Sequence, residues 1–191
     1  MSKILALAGS QRSGSFNHQL IRVACGMATD RGGDVTLLNL SDYEIPLFDQ
    51  DLEANSGLPA SVLEIKKLFL EHDALLLACP EYNGSITPQL KNVIDWVSRP
   101  ADESEPSLSA YRGKVAALLA ASPGGLGGLR GLRHVREILS NLGVLVTPKQ
   151  VALSKAHAAF TPEGALADMA NAKSVQACID QLLDTVQKLN T

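Results

Sequence analysis

Cysteine is scarce in this 191-residue chain: Cys25, Cys79 and Cys178 lie far apart and form no C-x-x-C pair. Neither a disulfide framework nor a zinc site is indicated, and buried or incidental thiols in a reducing compartment are expected. Basic blocks are missing too. The formal charge is −3 and no Lys/Arg-rich run occurs, which gives no support to nucleic-acid binding. Long hydrophobic runs are absent. The first, Ile4 to Ala8, is too short for a signal peptide or a membrane span and is ended by Gly9, so a soluble, cytoplasmic protein without a membrane partner is expected. No H-x-x-x-H pattern or carboxylate cluster suggests a metal. His18, His72, His134 and His157 occur singly and read as surface or packed side chains rather than proton donors. There is no internal repeat and no linker-like stretch, so residues 1–191 are expected to form a single domain.

What the chain does have is an ordinary globular balance, 46% hydrophobic and 19% charged. At this length about 70% of the unfolded surface can be hidden, enough for a core without covalent staples. The apolar residues fall in short continuous runs at 4–8, 35–40, 73–79, 114–121 and 144–146, the last extendable to Leu153. Runs apolar at every position fit strands covered on both faces, as in a parallel sheet. Amphipathic, helix-length segments separate them at 17–31, 60–71, 88–97, 128–142 and 172–189, with Pro88 suited to a first helical turn. Five strands alternating with five helices predict a doubly wound five-stranded parallel sheet with helices on both faces. The order 2-1-3-4-5 is the natural expectation, although alternation alone does not separate it from a Rossmann-like order. Ser41 to Leu58 is expected to be a long loop, with an apolar patch at Ile45 to Phe48 that either folds over the core or meets another subunit. Pro100 to Pro106, acidic and proline-bounded, reads as a solvated loop.

Three loops carry the chemistry. The first strand runs into Gly9-Ser10-Gln11-Arg12-Ser13-Gly14-Ser15-Phe16-Asn17 and then a helix. A helix N-terminus offers free N–H groups and partial positive charge, which suit a phosphate. Ser10, Ser15, Asn17 and Arg12 can add side-chain donors; the plainer alternative is helix capping, with Ser15 the N-cap. The loop is neither G-x-x-x-x-G-K-[ST] nor G-x-G-x-x-G, which disfavours a P-loop and weakens a dinucleotide fold. The third strand ends in Pro80-Glu81-Tyr82-Asn83-Gly84-Ser85, whose turn amides and aromatic suit a flat polar ring, or form an ordinary Asn-Gly turn. The fourth ends in Ser122-Pro123-Gly124-Gly125-Leu126-Gly127-Gly128, where glycine permits close backbone approach and positive φ. All three would meet at the C-terminal edge of one sheet, where open α/β folds bind ligands.

These motifs, G-S-x-R-x-x-S-x-N, P-E-Y-N-G-S and S-P-G-G-x-G-G, resemble the NADPH-dependent FMN reductase family, nearest to its bacterial quinone and chromate reductases. The likeness spans Lys3 to about Leu153, with Leu47 to Asp51 matching the family's loop after the second strand. It implies a flavodoxin-like fold, non-covalent FMN, NADPH or NADH as donor, and a homodimer or homotetramer. By position, Ser10, Arg12, Ser15, Phe16 and Asn17 would hold the phosphate. Pro80, Glu81, Tyr82, Asn83 and Gly84 would line the isoalloxazine, with Ser122 and Gly125 closing its other side. No side chain is expected to be catalytic, since the flavin carries the chemistry. Quinones, chromate, azo compounds and flavins all fit as acceptors. The competing expectations are an electron-carrying flavodoxin without NAD(P)H oxidation, and a cofactor-less regulatory relative. Arg130, Arg133 and Arg136 read as a solvated helix face, or as partners for a donor phosphate or a neighbouring subunit.

Overall fold

The computed structural model describes residues 1–189. Five strands, β1 (Lys3–Ala8), β2 (Asp34–Leu38), β3 (Ala74–Ala78), β6 (Val115–Ala121) and β7 (Leu145–Leu153), form one sheet ordered β2-β1-β3-β6-β7. Every pairing is parallel, so the expected doubly wound sheet and its order are both present.

The strands' alternation sorts their side chains into two cores. On one face Ile4, Ala6, Ala8, Leu76, Ala117 and Leu119 pack with α1 (Phe16–Asp30) and α6 (Met169–Leu189). On the other, Leu5, Leu7, Leu75, Leu77, Leu118 and Ala120 pack with α3 (Ala60–Glu71), α4 (Pro88–Val97) and α5 (Leu129–Asn141). Each fully buried leucine contributes roughly 1.5–3 kcal/mol of transfer free energy, and both faces are dry because every crossover lays a helix on the sheet.

Three regions depart from expectation. Within the supposed loop 41–58, Gln50–Ser56 forms a helix, α2, capped by Asp49, whose carboxylate accepts from the N–H groups of Asp51 and Leu52. None of its residues is buried, so no apolar periodicity announced it. The patch before it turns Ile45 and Phe48 partly inward. Phe48 stacks edge-on to Trp96 with centroids 4.9 Å apart, and Trp96 Nε1 and Asn92 Nδ2 both donate to Pro46 O, at 2.8 and 2.9 Å. Pro46 and Leu47 stay exposed, Leu47 at 78%. The acidic segment 100–106 is likewise not wholly solvated. Glu105 meets the buried Lys66 Nζ at 2.8 Å, and Lys66 also donates to Val97 O and Arg99 O.

The third difference sits beside the sheet's C-terminal edge. Residues 81–86 form a hairpin of β4 (Glu81–Tyr82) and β5 (Ser85–Ile86), with Asn83 and Gly84 both in the left-handed region at φ 52° and 81°. Two positive φ angles in a two-residue turn are what Asn-Gly accommodates best.

Candidate functional site

The loops leaving β1, β3 and β6 converge on a cleft of about 110 Å³ lined by Ser10, Arg12, Ser15, Phe16, Asn17, Pro80, Glu81, Tyr82, Ala121, Ser122 and Pro123. Of the twelve residues singled out from the sequence, all but Asn83, Gly84 and Gly125 line it. Ala121 and Pro123 were missed, though both adjoin Ser122.

The first wall is the β1–α1 loop. Gly9 packs against α4 so closely that a Cβ there would lie 2.8 Å from Leu90 Cβ, and Thr87 Oγ1 donates to Gly9 O at 2.7 Å. Beyond it the loop closes on itself. Ser10 Oγ accepts from Arg12 N (3.2 Å), Ser15 N donates to Arg12 O (3.0 Å), and His18 Nε2 lies 2.7 Å from Ser10 O. Ser15 is indeed the α1 N-cap, its Oγ accepting from Asn17 N at 3.2 Å. Among the described residues the N–H groups of Gln11, Ser13, Gly14 and Phe16 find no partner. These donors, the α1 dipole and the exposed Arg12 guanidinium (5.9 Å from the Phe16 ring centroid) form a cluster that favours an anion. Asn17 behaves differently. Its amide is buried, with Nδ2 donating to Ala121 O and Oδ1 accepting from Ala121 N, both at 2.9 Å.

The second wall is the hairpin. Tyr82 stands 53% exposed at the mouth. Glu81 turns its carboxylate away to α5, accepting from Arg130 N (3.0 Å), Gly131 N (3.1 Å), and Arg130 Nε and Nη2 (2.9 and 2.6 Å). Burial acts to raise this carboxyl, but the Gly131 N–H and the Arg130 guanidinium outweigh it and hold it below the usual carboxylate range. Ser85 Oγ lies 2.8 Å from His134 Nδ1, so one face of α5 grips both strands of the hairpin. Arg130 is therefore paired within the chain, and Arg136 donates to Val146 O, Thr147 O and Gln150 Oε1. Arg130 and Arg133 are exposed, as a solvated face requires, whereas Arg136 is half-buried.

The third wall is the β6–α5 loop. Gly127 and Gly128 have φ of 62° and 91°, and Cβ atoms there would meet Ala152 C at 2.5 Å and Ala120 Cβ at 2.7 Å. Their bareness serves the packing of α5 onto the sheet. Gly124 and Gly125 are exposed beside the cleft, leaving backbone open to a ligand.

The residues fit a phosphorylated flavin. The free donors of the first wall suit a phosphate, and Tyr82 with the exposed Gly124–Gly125 backbone offers surface for a flat ring. Among the described residues no group of three His, Cys, Asp or Glu could hold a metal. No cysteine lines the cleft; burial pushes the Cys25 and Cys178 thiols up to about 11 and Cys79 higher. A larger cavity, about 190 Å³, opens at the opposite rim between His72, Asp73 and Lys114. Two of its polar side chains are spent within the chain: Lys114 Nζ donates to His72 O, and Asp73 accepts from Lys3 N. No helix among the described residues is long and apolar enough to cross a membrane.

Comparison with known proteins gives a consistent pattern. Residues 2–158 match the family described as NADPH-dependent FMN reductase. An NAD(P)H-dependent FMN reductase of Pseudomonas aeruginosa is 37% identical over 188 residues, covering 98% of this chain and 96% of that protein. A quinone reductase of Escherichia coli K12 is 34% identical over 147 residues, 77% of this chain and 74% of its own length. A solved structure, the flavoenzyme NAD(P)H:(acceptor) oxidoreductase FerB from Paracoccus denitrificans, aligns with a TM-score of 0.84 at 30% identity, covering 98% of each chain.

Proposed function

Because the chain belongs to the NADPH-dependent FMN reductase family, we propose that it is an NAD(P)H-dependent oxidoreductase reducing quinones or other small acceptors: chromate, azo compounds or free flavins. The observation that carries this reading is the convergence of an anion-seeking helix terminus, an aromatic hairpin and an open glycine backbone on one cleft. FMN, when bound, would supply the hydride- and electron-transfer chemistry that no side chain here provides.

The chain's own residues bind and orient. Ser10, Ser15, Arg12 and the Phe16 N–H would hold the phosphate, each adding a hydrogen bond to a group already favoured by the α1 dipole. Pro80, the Glu81 backbone, Tyr82, Asn83 and Gly84 would line one side of the ring, with Ser122 and Gly125 on the other. The Glu81–Arg130 and Ser85–His134 contacts keep the hairpin in place, so ring orientation costs little ordering on binding. No side chain is assigned a catalytic role, since the flavin carries the chemistry, and the open mouth would admit donor and acceptor in turn, a ping-pong scheme. The whole chain would act as one domain, in the cytoplasm, where its three free thiols suit a reducing compartment. The exposed Leu47, in the segment after β2, supports assembly as a homodimer or homotetramer.

Steady-state oxidation of NADPH or NADH by the FMN-loaded protein, with a benzoquinone varied at several donor concentrations, tests the assignment. Turnover with parallel double-reciprocal lines is expected. A protein that binds FMN yet turns over neither donor would be a carrier, and the proposal would fall.

A further inference from the structure

Asn17 occupies the place where a strand is missing. In β6, Leu119 O accepts from Cys79 N at 2.7 Å, so Leu119 directs its backbone polar groups toward β3. Ala121, two residues on, must point the same way. There β3 has already left the sheet. Glu81, the next residue whose N–H would face β6, has turned into the hairpin to pair with Ile86. The N–H and C=O of Ala121 would be orphaned in a buried position, at a cost of roughly 1–3 kcal/mol each. The Asn17 side-chain amide satisfies both, at 2.9 Å each, reaching from the first turn of α1 across the gap β3 vacates.

From this geometry we infer that Asn17 is a positioning residue that sets the width of the cleft, rather than a phosphate ligand. It joins the phosphate end of α1 to the end of β6, from which Ser122 and the glycine loop depart, and so fixes the two walls relative to one another. The amide works as a two-sided backbone mimic, spending its acceptor and one donor on Ala121. An aspartate could accept from Ala121 N but would set a carboxylate oxygen against Ala121 O. Alanine would leave both groups bare. The inference rests on the FMN reading for its consequence, though not for the contact itself.

The test compares Asn17→Ala, Asn17→Asp and Arg12→Ala for FMN and riboflavin affinity by flavin fluorescence, with amide exchange measured on the flavin-free proteins. A clamp that shapes the whole cleft should weaken both flavins by the same factor, roughly tenfold for loss of one buried hydrogen-bond pair. The Ala121 amide should exchange at least about tenfold faster in Asn17→Ala, while Ala117 keeps its protection. Arg12→Ala should weaken FMN alone. If Asn17→Ala instead loses FMN but keeps riboflavin, or leaves Ala121 exchange unchanged, the inference is wrong. Should Asn17→Ala fail to fold, the same readings are taken on Asn17→Asp, which keeps one of the two bonds. A wild-type protein that binds neither flavin would sink the functional proposal, while faster Ala121 exchange would still establish the clamp.

Discussion

On the β1–α1 side of the cleft, the N–H groups of Gln11, Ser13, Gly14 and Phe16 have no partner among the described residues, and the exposed Arg12 guanidinium meets only the Phe16 ring. On the hairpin side, Glu81 alone takes four hydrogen bonds and Ser85 is matched to His134. The first wall is electrostatically unfinished and calls for an anion. The second is finished internally and offers a shaped surface. A phosphate can be recognised by loose donors that gather round it, whereas a flat ring needs a surface already in place. One cleft thus divides the work of binding between charge and shape, and each wall should fail in its own way.

The largest effect should come from the scaffold both walls share. Gly128→Ala places a methyl group 2.7 Å from Ala120 Cβ at a φ of 91°. Strain and overpacking together should cost about 3 kcal/mol or more, seen as loss of soluble protein or a large fall in urea midpoint. Arg12→Ala should next break the charge side alone. FMN affinity should drop about ten- to a hundredfold, the worth of a charge-assisted bond, with riboflavin affinity unchanged and the FMN loss reduced at high salt.

Glu81→Gln should act on the shape side. Removing the charge from the α5 contact should cost roughly 2 kcal/mol of stability and weaken FMN and riboflavin alike. Since this carboxyl titrates lower in the folded chain than when unfolded, its contribution is full above the unfolded value of about 4.3 and disappears as pH falls through the folded one. Thermal melts should therefore show the gap between wild type and Glu81→Gln closing below about pH 4. Ser15→Ala is the mildest. Loss of the α1 cap should cost about 1 kcal/mol and lower Tm by roughly 2–4 °C, with a smaller loss of FMN affinity than Arg12→Ala.

The two walls also differed in how far they could be read from the sequence. The anion side was legible because its signal is local: Ser10, Arg12 and Ser15 sit within six residues, just after an apolar run and before a helix. The five strands were legible for the same reason, each being a continuous apolar run bounded by turn residues. The hairpin was visible only as an Asn-Gly turn, because its anchors lie 49 residues away on α5. Lys66 and Glu105 are 39 positions apart in the chain, so the acidic segment gave no hint of a buried ion pair. Asn17 carried a phosphate-binding role by its position in a motif, and only the sheet showed that its amide is spent on Ala121, 104 residues on. Local chemistry is written in neighbouring residues; the partners that finish it are chosen by topology.

The central claim, that this cleft binds FMN for redox chemistry with NAD(P)H, is tested most directly by the absorption spectrum of the purified protein reconstituted with FMN, before and after anaerobic NADPH or NADH. One FMN per chain, with flavin bands that bleach on adding either donor, is the result expected. A protein that stays colourless after incubation with excess FMN, or whose bound flavin is untouched by both donors, would contradict it.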